Sequence, residues 1–487
     1  MRNFILNTTY VTATAIFASA CGGADSGSPS TGGTSATSTT NATGGATVLG
    51  TGGAAATGGT KATGGATAVG TGGATATGGN KATGGTTATG VGGATATGGA
   101  KATGGTTATG VGGGATTGGT KATGGASATG GSTSAVGGST GKLTPQQAVQ
   151  LMSPGWNLGN SFDGSPNETS WGNPTPSQTL INAVHTAGFK TLRLPVTWTN
   201  HIGAGPSYTV DAAWMAKVVQ TAQWAIDAGM YVFVNTHHEA DGNGGWVTFP
   251  ATSAATAVAT EVTAVWTQIA NAFKGFNSRL MLECFNEPNE AGGGNTTQAQ
   301  TDLNLYLEAC FAAIRGTGGA NATRTVMIQP VGASPIQSGI QSMQKVSFIN
   351  DPNLVISLHT YYPTNFGLST TPYAWGSSAD YTSMQNSIAQ QIRVWLPTQV
   401  IFVGEWGSMN AQSTANRAAH ALAYAQDTTT AGIVPIWWDN GGSGSQSFSL
   451  FDRNSGAINQ ASIVSGIMTG VKNGLASTNN WATLANP

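Results

Sequence analysis

Eight short apolar runs, each closed by polar or aromatic residues, recur between positions 155 and 440. They are GWNLGN (155–160), KTLRLPV (190–196), YVFVNTHH (231–238), RLMLECFNE (279–287), RTVMIQP (324–330), LVISLHTY (354–361), VIFVGEW (400–406) and IVPIWWDN (433–440). Runs of this length, rich in Val, Ile, Leu and Phe, read as strands covered on both faces. Helical periodicities separate them, among them AAWMAKVVQTAQWAIDAG and TEVTAVWTQIANAFKGF. Three of the helical stretches end in Ala-Gly at Gly188, Gly229 and Gly432, and glycine is favoured just past a helix C-terminus. Strands and helices alternating in this way predict an α/β chain, a (β/α)8 TIM barrel. An open doubly wound sheet is the alternative, but no GxGxxG opens a helix after an early strand.

The barrel occupies only part of the 487 residues. From Lys142 onward the composition is globular, and roughly 345 residues suffice for one large core. Residues 22–141 are almost wholly Gly, Thr, Ala and Ser, with KATGG recurring at Lys61, Lys81, Lys101 and Lys121. A period of 20 can mark a solenoid. Here each repeat offers only Ala, Val and Thr methyls, too little apolar surface to offset backbone entropy. The segment therefore reads as a long disordered Gly/Thr/Ala-rich linker with an end-to-end distance of ~60 Å. Residues 1–21, MRNFILNTTYVTATAIFASAC, resemble a secretion leader, and FASAC looks like a lipoprotein box that would lipidate Cys21. No apolar run of 18 residues exists to span a membrane. The domain expectation is thus a leader at 1–21, a linker at 22–141 and a catalytic barrel at 142–487, secreted or tethered at the outer cell surface.

Charge and cysteine usage narrow the function. The globular part carries 13 basic and 18 acidic residues, about −5, which excludes an electrostatic nucleic-acid surface. Of three cysteines, Cys284 and Cys310 fall in a predicted strand and a predicted helix. They read as buried small hydrophobes, with no disulfide framework.

A barrel places its chemistry at the C-terminal ends of the strands. In order, those ends offer Asn160, Arg193, His237, Asn286 with Glu287, His359 with Tyr361, Glu405 with Trp406, and Trp438. Glu287 and Glu405 are two carboxylates on strands that face one another across the mouth. Such a pair suits glycoside cleavage, in which one carboxyl donates a proton and the other attacks or activates water. Arg193 could keep one of them ionised; the bland reading of Arg193 is a buried ion pair to an interior glutamate. Strand parity in LECFNEPNE turns Glu283, Phe285 and Glu287 toward the interior and Asn286 away, unless a bulge or the strand's end re-aims it. Glu283 then needs a buried partner, and Glu290 lies in the loop. His237-His238-Glu239 has the residue types of a metal site; adjacent strand residues point to opposite faces, so no metal site is expected. Of 13 tryptophans, Trp171, Trp198, Trp246, Trp375, Trp406, Trp437 and Trp438 sit at strand ends or in loops, where indole can pack on a pyranose face.

GWNLGNSFD, LRLPVTW, NTHHE, CFNEPN, SLHTYYP, VGEWGS and IWWDNG together resemble the strand-end motifs of glycoside hydrolase family 5, the cellulase-type clan. ETSWGNP is similar to its endoglucanase and xyloglucanase branch. The resemblance covers the whole globular part in order. It implies Glu287 as general acid/base and Glu405 as nucleophile, with Arg193 and Tyr361 holding the nucleophile. It implies that Asn286 contacts the sugar 2-hydroxyl, and that His237 and His359 position the acid/base and the sugar. Trp438 would stack under the sugar on the non-reducing side, with Asn160, His238, Trp171, Trp246 and Trp406 as further substrate contacts. No cofactor and no metal are implied. The expected partner is a plant cell-wall β-glucan, met by a monomer with a lipid anchor at Cys21. The expected activity is an endo-acting retaining β-1,4-glucanase. Xyloglucan, mannan, xylan or mixed-linkage glucan are the alternative backbones, and a non-catalytic carbohydrate-binding surface protein is the alternative class.

Overall fold

The computed structural model describes residues 143–477 apart from 241–244, 251–253 and 292; before residue 143 it describes only the backbone of ten short strands. The leader, Cys21 and the repeated lysines lie outside the described residues. The ten strands, of four or five residues each, pair into two five-stranded parallel sheets. Their register steps by 20 residues, as in Ala54↔Ala74 and Thr86↔Thr106. The repeat therefore appears as a pairing register, while the bulkiest residues in these strands are Leu49, Val48 and Val69.

The second unit is the barrel. All eight expected strands form: β1 (Gly155–Asn157), β2 (Thr191–Leu194), β3 (Tyr231–Asn235), β4 (Leu280–Glu283), β5 (Val326–Ile328), β6 (Leu354–His359), β7 (Val400–Trp406) and β8 (Ile433–Trp437). They pair in parallel, in chain order, and β8 closes on β1 through Gly155↔Ile436 and Trp156↔Trp437. Most strands stop sooner than the apolar runs suggest, because the polar residues at their exits leave the ladder while staying buried.

Two apolar layers hold the barrel. Inside it, Phe233, Met281, Met327, Val355, Val400, Phe402, Val434 and Ile436 pack together. The helix Pro145–Met152 closes the bottom with Ala148, Val149 and Met152. That helix begins at a capping box, in which Thr144 and Gln147 satisfy each other's backbone N–H. The larger layer lies between strands and helices. There the alternate strand residues, such as Leu192, Val232, Leu282 and Ile401, meet Trp266, Tyr306, Tyr424 and Ile467. Full burial of each such side chain contributes about 1.5–3 kcal/mol. The polar residues collect above the inner layer, so the fold itself separates a dry base from a reactive mouth.

Two expectations are corrected here. Cys284 and Cys310 are both fully buried, and they are joined by a disulfide linking the exit of β4 to the helix Thr297–Gly316. Spacing alone does not reveal pairing; the barrel brings their Cα atoms to 6.1 Å, within disulfide range. Phe285 does not face the interior. Since β4 ends at Glu283, alternation no longer governs the residues beyond it, and Phe285 packs in the outer layer.

Candidate active site

The site is built around Arg193, which is fully buried on β2. Its Nε donates to Glu283 Oε2 at 2.8 Å, Nη1 to Glu405 Oε1 at 2.6 Å and Asn157 Oδ1 at 3.1 Å, and Nη2 to Asn286 Oδ1 at 2.7 Å. Both readings of this arginine therefore hold: one guanidinium pairs with an interior glutamate and with a glutamate at the mouth. Glu283 finds the partners its burial demands, since Ser357 Oγ and Asn235 Nδ2 also donate to it, at 2.7 and 3.0 Å. Asn286 is aimed inward because the strand has ended, as its burial and its bond to Arg193 record.

Glu405 is held on three sides. Besides Arg193, Tyr361 donates its hydroxyl to Oε2 at 2.8 Å, and His359 Nδ1 lies 3.7 Å from Oε1. A register shift at Leu358/His359 sets His359 beside Glu405 across β6 and β7. Burial pushes the Tyr361 hydroxyl well above its ordinary range, so it keeps its proton and donates. Burial raises the Glu405 carboxyl, and Glu287 adds to this, while His359, Arg193 and the Tyr361 bond pull it back. Glu287 has no such cage. Withdrawal from water raises its carboxyl to about 7, with only the charge of Arg193 opposing. Its side chain keeps 40% of its surface open to the cleft. His359 Nδ1 lies 2.7 Å from Glu287 Oε1. Desolvation lowers His359 to about 4, so that imidazole is neutral at pH 7.

One oxygen of Glu287, one of Glu405 and a nitrogen of His359 lie within 4.8 Å of one another. Carboxyl groups about 5 Å apart leave no room for a water between them and suit attack on the sugar by the carboxylate itself; a wider gap would suit inversion.

The remaining expected residues divide. His237 is buried, lies 3.9 Å from Glu405 Oε1 through Nε2, and stacks on Trp438 with ring centroids 5.8 Å apart. His238 packs between His237 and Trp171, at 4.5 and 5.5 Å. Burial keeps both imidazoles neutral. The expectation that they face opposite sides is corrected: β3 ends at Asn235, and both rings turn to one side. With Asp163 they form a set of donors within 4.8 Å, spaced as metal ligands would be. Each Asp163 oxygen, however, already accepts a backbone N–H, from Asn160 or Ser161. Asn160 has a positive φ of 54° and accepts at its carbonyl from Asn173.

Trp171, Trp246 and Trp438 keep exposed surface at the mouth. Trp406 does not. It is fully buried, stacked on Tyr424 at 4.2 Å and set edge-on to Trp437, so its expected substrate contact is corrected to a packing role. Trp198, Trp375 and Trp437 are buried too. Glu239 is buried beneath the β3 exit, where it accepts from Thr199 and the Trp198 backbone.

Sequence reading passed over Asn157, Asn173, Asn235, Ser357, Asp439 and Arg453. Asn157, Asn235 and Ser357 brace the arginine network directly. Asn157 and Asn235 lie inside their quoted runs, and only the structure shows that β1 and β3 end on them.

Comparison with known proteins agrees with this geometry. Residues 157–444 match the model of the cellulase family, glycosyl hydrolase family 5. Endoglucanase B of Clostridium cellulovorans is 37% identical over 326 residues, 64% of this chain and 72% of its own. A broad-specificity endoglucanase structure from Clostridium acetobutylicum is 35% identical with a TM-score of 0.63, covering 67% of this chain and 99% of that one. A xyloglucanase structure from Paenibacillus pabuli is 30% identical with a TM-score of 0.60, covering 67% and 100%. On the family match and on relatives that align along most of their own length, the chain belongs to glycoside hydrolase family 5.

Proposed function

We propose that the protein is an endo-acting, retaining β-1,4-glucanase. The approach of Glu287 and Glu405 to within 4.8 Å carries the reading, because only one of the two is caged by Arg193 and Tyr361. Glu405 attacks the anomeric carbon while Glu287 gives its proton to the departing glycosidic oxygen. The glycosyl–Glu405 ester forms with inversion. A water then attacks the same carbon as Glu287 takes up its proton, and a second inversion restores the β configuration. Arg193 and Tyr361 hold Glu405 ionised and in place for the first step. Asn286, fixed by Arg193, is set to meet the sugar 2-hydroxyl. Trp438, Trp171 and Trp246 supply indole faces along the cleft, and an open cleft suits an internal cut in a polymer.

Xyloglucan is proposed as a second backbone, since a xyloglucanase and a broad-specificity enzyme share the fold at 30% and 35% identity. The experiment is a panel of soluble cellulose derivative, xyloglucan, mixed-linkage glucan, mannan and xylan, with Glu405→Ala as control. Reducing ends should appear from the glucans with the native enzyme and stay at background with the folded variant. Undiminished turnover by Glu405→Ala would sink the assignment.

We further propose that the chain is exported and acts as a monomer. On this reading residues 22–141 hold the barrel away from a cell surface to which Cys21 is lipid-anchored. The Gly, Thr and Ala composition and the leader-like first 21 residues support it.

A further inference from the structure

The indole of Trp438 rests directly on the backbone of the β1 exit. A Cβ on Gly159 would lie 2.8 Å from Cη2 and Cζ2 of Trp438 and 2.8 Å from the Asp439 carbonyl oxygen, so no side chain fits between them. Trp438 follows β8 and Gly159 follows β1, so the aromatic platform straddles the seam where the barrel closes.

Two buried donors hold this seam. Arg453 is 4% exposed, with its guanidinium 4.8 Å above the Trp156 ring. Its Nη2 donates to the carbonyl of Gly159 at 3.1 Å, to the carbonyl of Asp439 at 2.6 Å and to Asp439 Oδ1 at 3.0 Å. Asp439 is locked in turn by Trp156 Nε1 at 2.9 Å and by the backbone of Leu450 and Gly441. Asn173 works from the other side. Its Nδ2 donates to the carbonyls of Asn160 at 2.8 Å and Asn440 at 3.0 Å. Asn173 lies two residues beyond Trp171, so both indoles of this side of the cleft are neighbours in sequence of residues in one clasp. Among the described residues, Arg453 Nε and Nη1 are buried without a hydrogen-bond partner. An arginine there is costly, and its placement makes sense only through Nη2 and the contact with Trp156.

We propose that Arg453 and Asn173 are positioning residues that preset Trp438 for the sugars on the non-reducing side of the scissile bond. A platform fixed before binding avoids the entropy cost of ordering it on the substrate. The clasp touches no reacting atom, so its loss weakens binding in ground and transition states alike and appears in KM. The inference rests on the glucanase reading.

The test uses nitrophenol release from 4-nitrophenyl β-cellotrioside, whose three sugars then lie on the non-reducing side of the cleaved bond, with the full chain and its Arg453→Lys, Asn173→Ala and Trp438→Ala variants. A lysine ends in one ammonium and cannot reproduce the fixed geometry of the guanidinium. Arg453→Lys and Asn173→Ala should each raise KM about 3- to 10-fold, the worth of one aromatic contact, with kcat within about threefold. Combining either with Trp438→Ala should add nothing beyond Trp438→Ala alone. Unchanged KM with a lowered unfolding temperature would reduce the clasp to a purely structural role and overturn the proposal. Losses that multiply in the double variants would overturn it as well. If Arg453→Lys shows no cooperative unfolding, Asn173→Ala decides by the same split. Failure of the native enzyme to cleave any bond of this substrate or of a soluble cellulose derivative would instead defeat the glucanase reading.

Discussion

Partial withdrawal from water, without the cage that surrounds Glu405, pushes the Glu287 carboxyl up to about 7. Activity should therefore fall on the alkaline side as Glu287 loses that proton, and on the acid side as Glu405 gains one; a pH profile of kcat/KM reads both limbs. Stability carries the same signature. A glutamate in the unfolded chain titrates near 4.3. The native carboxyl binds its proton more tightly, so the folded state is favoured at low pH and loses that advantage as pH rises from about 4.5 to 7. Glu287→Gln removes the penalty. Its unfolding midpoint should exceed that of the native enzyme at pH 8, with the difference closing toward pH 4.5; a constant difference would contradict the assignment. Arg193, Glu287 and Glu405 were legible in the sequence because each is a charge at the exit of an apolar run. The burial of Trp406 was not, because it depends on Tyr424, which the next helix brings against it. The roles of Asp439 and Arg453 were equally hidden, since their partners Trp156 and Gly159 lie 283 and 294 residues earlier, on β1 and just past it.

At the scale of elements, all eight strands were legible from apolar runs, but their ends were not. YVFVNTHH looks continuous to His238, whereas the ladder stops at Asn235 and frees both histidines to turn together. The end of β4 at Glu283 likewise re-aims Asn286, which strict alternation would have turned away. The disulfide acts at this same exit, one residue past β4, and ties it to the helix that flanks it. It closes a loop with a sequence separation of 26, for which the chain-entropy model gives about 3.5 kcal/mol. The Cys284→Ser/Cys310→Ser double variant should lose stability of that order in denaturant unfolding. Reductant should lower the native enzyme to the same level and leave the variant unmoved. Insensitivity of the native enzyme to reductant under unfolding conditions would count against the bond.

On the scale of the whole molecule, the barrel and the repeat segment obey different rules. The barrel is specified by long-range burial, and its catalytic residues come from β2, β4, β6 and β7 or their exits, so activity should need the barrel alone. Deletion of residues 22–141 should leave kcat/KM on soluble glucan within about twofold. The isolated segment should give a coil-like circular dichroism spectrum if it serves as a tether; a strong strand spectrum would favour the 20-residue pairing register as a stable fold. The claim on which the rest depends is that Glu405 attacks the sugar itself. The most direct measurement is proton NMR of the first product released from a cello-oligosaccharide, before mutarotation. The β-anomer should appear first, as the close approach of Glu287 and Glu405 requires. The α-anomer appearing first would mean a water-mediated single displacement and would contradict the assignment of Glu405 as nucleophile.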